Sequence, residues 1–209
     1  MRGISFDAES VRAFPVKTQT RRVMAIKVPG PESIHDAHAI CKDGAGDWIA
    51  WFGKPTNQDY PAFTRRAYPD GGGFACPYGK PGDRLYVRER LIRWDQDGTA
   101  PLALYDAHRD VAAGRTGGHR WMWKRAALPA CFMPRHLSRF TIELLDVRAE
   151  RVRSISERDC EAEIGRPAYS LGDRAYKAFR TRWDSINDQR GFPFDSNPWV
   201  WALTYRVIA

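Results

Sequence analysis

The chain has 209 residues, 43% of them hydrophobic, enough to bury one core and suited to a single domain, 1–209, with a large insertion. Its net charge of +8 favours a polyanionic partner such as nucleic acid, and no apolar run is long enough to span a bilayer, which sets membrane roles aside. The four cysteines (Cys41, Cys76, Cys131, Cys160) show no CxxC pair and the start lacks an apolar leader segment, so a reduced, cytoplasmic protein is expected rather than a disulfide scaffold.

In chain order, "ISFDAESVRAF" begins as a short strand and turns helical, with Asp7 or Ser10 as N-cap. "PVKTQTRRV", Pro15 to Val23, concentrates hydrogen-bond donors and has no apolar face at helical spacing. Residues 29–82 are rich in Gly, Pro and Asp, and within them "DWIAWF" alternates like a strand or hairpin arm. An insertion at about 29–75, an elaborate loop or β-hairpin rather than a second core, is expected there. "KPGDRLYVRERLIRW", Lys80 to Trp94, is the clearest strand signal, a Pro-Gly-Asp turn followed by alternating Leu85, Val87, Glu89 and Leu91.

A variable loop at about 95–120 follows, in which "LALYDA" reads as a short strand. Met133 to Val152 reads as a turn and a long strand. "SISERDCEAEIG" is a short helix with Ser156 as N-cap and Gly165 as its stop. "DRAYKAFRTRWDSIN" is amphipathic, with Ala175, Phe179, Trp183 and Ile186 near the 3.6 period. "NPWVWALTYRVI" closes the chain as a strand with Trp199, Trp201, Leu203, Tyr205 and Val207 on one face. The predicted class is α+β, with several strands, two or three helices and long loops. The eight tryptophans suit base stacking, but a core role is the default.

Metal and cofactor motifs are weak. His35, His38 and Cys41 are spaced three and three and, with Cys76, supply zinc-ligand residue types, but no standard zinc spacing is present, so no metal is expected. "YPDGGGF" lacks the context and lysine of a P-loop. His108, His119 and His136 have no Gly-x-Ser-x-Gly partner for a triad. No cofactor is expected.

The ordered series "KTQTRRV", "CPYGKPGDRLYVRE", "MPRHLSRFTIELLDVRAERVRSISERDCEAEIG" and "FRTRWDSIN…NPWVWALTYRV" resembles the ASCH-domain proteins of bacteriophages and prophages, within the PUA-like superfamily. The likeness covers roughly residues 3–28 and 76–208. It implies a small β-barrel flanked by helices, with a cleft for a nucleobase, a modified nucleoside or RNA. Small bacterial members include amidohydrolases that remove the acetyl group of N4-acetylcytidine through a Lys-Thr-x-Thr pattern and a helix-borne glutamate. The resemblance therefore implies Lys17, Thr20 and Glu163 as a catalytic set.

That chemistry is physically coherent. A threonine hydroxyl needs a base to become a nucleophile, and burial depresses a lysine towards that role. A glutamate can orient the lysine or shuttle a proton to the leaving amine.

Arg21 and Arg22 are expected as phosphate contacts, and Arg88, Glu89 and Trp199 as cleft or substrate-binding residues. A barrel salt bridge for Arg88 or Glu89 and a core role for Trp199 stand beside these readings. "KTQTRR" also suits phosphate binding alone, and Glu163 a surface salt bridge. A non-catalytic RNA-binding module and a ribonuclease are thus the alternatives. Arg21-Arg22, where the small enzymes have an apolar residue and then arginine, makes the mouth more basic and favours a larger substrate.

Overall fold

A computed structural model describes residues 1–14, 16–26, 33–37, 39–42, 47–52, 65–66, 74–95, 99–109, 118–165 and 174–208. Its strands are β1 (Arg2–Ser5), β2 (Gln19–Val23), β3 (Ala39–Lys42), β4 (Trp48–Phe52), β5 (Arg65–Arg66), β6 (Arg84–Arg88), β7 (Leu91–Trp94), β8 (Leu102–Tyr105), β9 (Ala127–Leu128), β10 (Thr141–Arg151) and β11 (Trp199–Val207). The helices are α1 (Ala8–Arg12), α2 (Glu157–Ile164) and α3 (Arg174–Asn187). The mixed α+β class read from the sequence is the observed one. No helix among the described residues is long and apolar enough to cross a membrane.

The main sheet has the order β1-β6-β10-β11-β2; β1 and β6 are parallel and the other neighbours antiparallel. Ile4, Leu85, Val87, Ile142, Leu144, Trp201, Leu203 and Tyr205 fill its inner face. On the opposite face Val200 packs with Phe179 and Trp183 of α3 and with Phe194. β11 is therefore buried on both sides, which is why its sequence is nearly continuously apolar. Of the apolar positions expected on α3, Ala175, Phe179 and Trp183 are buried, but Ile186 is 43% exposed because the buried stripe runs every fourth residue and is continued by Asn187.

The ladder is open. Among the described residues no hydrogen-bonded pairing joins β1 to β2, so the expected barrel is not closed. A side chain spans the gap instead: Arg22 Nη2 donates to the Ser5 carbonyl at 2.6 Å, and its guanidinium lies 4.9 Å from the centre of the Phe6 ring.

Two smaller sheets flank this one, β3-β4-β5 and β8-β7-β9. The first falls between Ala39 and Arg66 and contains the strand expected at "DWIAWF". The second uses "LALY", and it divides the strand read as continuous from Lys80 to Trp94. Between β6 and β7, Glu89 is 1% exposed, and its two carboxylate oxygens accept from Arg139 at 2.8 and 2.9 Å. A buried carboxylate that must meet its cation there ends one ladder and starts the next.

Residues 33–37 are tied to the core at Trp199. Its indole N–H donates to the Ala37 carbonyl (2.8 Å), its backbone N–H donates to His35 Nδ1 (3.1 Å), and Arg151 lies over its ring at 4.7 Å. The His35 ring thus continues the β2–β11 ladder one step past Met24, whose N–H donates to the Trp199 carbonyl (3.0 Å).

Candidate functional site

Lys17 stands between α1 and β2 with its backbone fixed from two directions. Its N–H donates to the Ala13 carbonyl (2.9 Å), and the next N–H, of Thr18, donates to the Ala162 carbonyl near the end of α2 (3.1 Å). Gly165 permits that close approach. It ends α2 in the left-handed conformation (φ 74°), and a Cβ there would lie 2.8 Å from the Ala13 Cβ and 3.1 Å from the Lys17 Cβ. At the opposite end Ser156 caps α2, its hydroxyl accepting from the Asp159 N–H.

The Lys17 ammonium therefore arrives at the C-terminal end of α2, where unpaired carbonyls attract a cation. It donates to the Glu163 carbonyl and, at 3.3 Å, to Glu163 Oε1. Glu163 is held from the other side as well: Oε1 accepts from the Arg21 N–H (3.1 Å) and Oε2 from Arg21 Nη1 (3.4 Å).

Arg21 has no exposed side-chain surface and is shared among three carboxylates, Glu150, Asp159 and Glu163. Gln19 Nε2 donates to Asp159 at 2.7 Å, and Arg148 closes the outer side on Asp146, Glu150 and Asp159. The alternation of β2 explains this division. Gln19 and Arg21 point to the α2 face, while Thr20 and Arg22 point to the face shared with Leu203 and Trp201, their register partners. Arg21, expected as a phosphate contact, is instead the cation that fixes Glu163, because the protein's own carboxylates occupy its donors.

Burial is the largest influence on Lys17 and pushes its pKa below the usual lysine range; the charge and hydrogen bond of Glu163 pull it back only in part. Asp7 shows the opposite balance. Burial alone would raise its pKa, but the Ser10 N–H and the Arg182 guanidinium together hold it below the ordinary value.

Lys17, Thr20, Arg22, Glu163, Asp7 and Arg182 share a cavity of about 150 Å³, with Phe179 and Trp183 of α3 on its wall. That is room for about one six-membered ring. Lys17 and Glu163 also line a second cavity of about 170 Å³, bounded by Glu9, Ile164 and Ala178. The ion pair is thus the partition between two small spaces. Beside it are two buried polar atoms with no hydrogen-bond partner, Arg22 Nε and the Tyr205 hydroxyl. Burial first, and then the charge of Glu163, pushes the Tyr205 pKa well above the ordinary tyrosine value.

The structure brings Lys17, Thr20, Arg21, Arg22 and Glu163 together and leaves the other expected residues elsewhere. Arg88 donates to the Cys131 and Gly3 carbonyls (both 3.1 Å), Glu89 belongs to Arg139, and Trp199 donates to the Ala37 carbonyl; none lines the cavity. Arg139 Nη2 also contacts His108 Nδ1 at 2.7 Å, while His119 and His136 face each other.

Of the zinc-type residues, His38 lies outside the described residues, His35 is engaged by Trp199, Cys41 is exposed and Cys76 buried. Among the described residues no three His, Cys, Asp or Glu side chains are grouped to hold a metal. The sequence reading missed Asp7 as a wall residue, Arg182, and the Tyr205 hydroxyl. Each sat in a pattern with a sufficient structural explanation: a cap, a polar helix face, a core strand.

The chain matches no family model, no curated protein and no solved structure. The chemistry of the site rests on its own geometry: a buried amine with a weakened hold on its proton, a fixed carboxylate, a threonine and an arginine around a ring-sized space.

Proposed function

We propose that the chain is an ASCH-type protein that takes one nucleobase into the cavity beside Lys17 and hydrolyses an acyl amide on it, with N4-acetylated cytidine as the substrate class. The carrying observation is the buried Lys17 amine, its pKa lowered, against Glu163 on the wall of a cavity of about 150 Å³. In its neutral form Lys17 takes the proton of the nucleophile, either the Thr20 hydroxyl or a water that Thr20 positions. The nucleophile's oxygen bonds to the acyl carbon, the C–N4 bond breaks, and the proton held by Lys17 passes to N4. N4 already carries one hydrogen, so this proton completes the amine. Where water is the nucleophile, acetate leaves directly. Where Thr20 is the nucleophile, a water then cleaves the acyl-threonine ester and the Thr20 hydroxyl regains its proton, so that both routes give cytidine and acetate.

Glu163, fixed by Arg21, orients the lysine. Arg22, whose side chain lines the cavity, is the donor assigned to the acyl oxygen as it gains charge. The test is mass spectrometry of N4-acetylcytidine incubated with the unaltered protein and with Lys17→Ala. Cytidine from the unaltered protein alone is the expected result. Equal product from both excludes Lys17 as the base.

A non-catalytic recognition module is the second reading. It is favoured by the engagement of the Lys17 ammonium with two acceptors of Glu163, as in a resting structural ion pair. It expects no product from either protein and nucleoside binding that survives Thr20→Ala.

A further inference from the structure

From Val111 to Ile142 the chain contains no aspartate or glutamate, while Arg120, Lys124, Arg125, Arg135 and Arg139 fall within that span. The described part of it, from Gly118 on, wraps the β8-β7-β9 sheet. The Ala103 N–H donates to the His119 carbonyl (2.9 Å), the Trp121 N–H to the Pro101 carbonyl (2.7 Å), and the Trp121 indole to the Arg125 carbonyl (3.0 Å). These bonds fold residues 119–126 into a compact turn that buries Trp121. They leave Arg120, Met122, Lys124 and Arg125 exposed.

Three rings run side by side across this surface. Trp123 and His119 are 5.7 Å apart between centroids, and His119 and His136 5.4 Å. His136 is exposed and the other two half-buried. Around them the positive charge is uncompensated. Arg139 is engaged by Glu89, but among the described residues Arg120, Lys124, Arg125 and Arg135 have no carboxylate within ion-pair distance. Near the Lys17 site the contrast is plain: Arg21, Arg148 and Arg182 each meet two or more carboxylates. His119 Nε2 is also buried without a hydrogen-bond partner.

We infer that this face is a docking surface for a single-stranded polynucleotide. Unpaired cations attract and position the phosphates, and adjacent ring faces accept bases that a single strand can splay out and a duplex cannot. An acidic peptide would satisfy the charge but leave the rings without use. None of these residues lines the cavity beside Lys17, so the inference goes beyond the hydrolase reading and does not depend on it.

The test is fluorescence anisotropy of a labelled oligouridylate, about a dozen nucleotides long, titrated with the full chain over a series of salt concentrations. Binding that weakens steeply with salt is expected. Lys124→Ala combined with Arg125→Ala should lower the slope of log affinity against log salt by about 1.4, from about 0.7 for each phosphate contact. Both positions are exposed, so this variant retains the fold. Trp123→Ala should weaken binding about 5- to 150-fold, and Trp123→Phe, which keeps a ring against Trp121, should restore most of it. Unchanged affinity and slope in the double alanine variant would overturn the inference. So would equal affinity for a duplex of the same length, equal competition by polyglutamate, or loss of binding on Lys17→Met with the surface variants unaffected.

Discussion

Lys17 and Arg21 sit four residues apart in one basic stretch, yet the fold uses them in opposite ways. Arg21 keeps its charge inside a cage of three carboxylates, whereas Lys17 has one carboxylate and the end of a helix. Removing Arg21 leaves buried carboxylates without their cation, so Arg21→Met should cost about 3–5 kcal/mol in denaturant unfolding. Lys17→Met leaves Glu163 on Arg21 and removes a buried amine, so stability should be unchanged or raised while the proposed deacylation is lost.

The pH dependence follows in sign. The folded chain binds the Lys17 proton more weakly than the unfolded chain, so burying this group costs stability at lower pH. That cost is relieved as pH rises from the lowered pKa towards the ordinary value of 10.5. A base must be neutral to act, so the rate of the proposed deacylation should climb with pH to a plateau whose midpoint lies below 10.5. A pH–rate profile that is flat through that region would remove Lys17 from the base role.

At the scale of elements, α2 does more than carry Glu163. Ser156 starts it, Gly165 stops it, and that stop brings the helix end against Ala13 and Lys17. Gly165→Ala places a side chain at φ 74° and a Cβ 2.8 Å from the Ala13 Cβ. The strain alone is about 1–3 kcal/mol, and the displaced Lys17 should lower activity beyond what the stability loss explains. Ser156→Ala should cost about 1 kcal/mol and leave the rate per folded molecule unchanged, because the cap is at the far end of the helix. Thermal unfolding and specific activity, measured on both variants, separate the two roles.

Across the whole molecule, a few polar contacts join parts that the ladders do not. Arg182 of α3 grips Asp7 and Glu9 at α1, Arg22 bridges the two open edges of the main sheet, and His35 with Trp199 ties residues 33–37 to β11. The His35 tie is pH-sensitive. Burial first, and then the Arg151 charge, lowers the His35 pKa, and its Nδ1 must be unprotonated to accept from Trp199. The unfolded chain therefore takes the proton more readily. This stabilisation is complete above about 6.5 and is lost as pH falls from there through the folded value. The protection factors of the β3 and β4 amides, exchange rates normalised to the intrinsic rate at each pH, should fall over that range, and His35→Ala should remove this fall. At lower pH the same reasoning applies to Asp7: its contribution holds above 3.8 and disappears as pH drops through its lowered pKa.

The sequence by itself determined the local elements. Ser156 and Gly165 bounded α2, the alternation from Trp199 to Val207 marked β11, and the lack of an apolar helical face from Pro15 to Val23 kept that stretch out of a helix, because caps, turns and periodicity are short-range properties of the chain. Local pattern also misled where a distant partner mattered. Glu89 reads as one more strand position until Arg139, fifty residues later, stops the ladder there. Trp199 reads as a cleft wall until Ala37 and His35 cover it, and Arg21 as a phosphate contact until Glu150, Asp159 and Glu163 enclose it. Which basic groups stay free, which are caged, and which amine loses its hold on its proton depend on burial and on charges brought from far along the chain. Only the tertiary structure decides those.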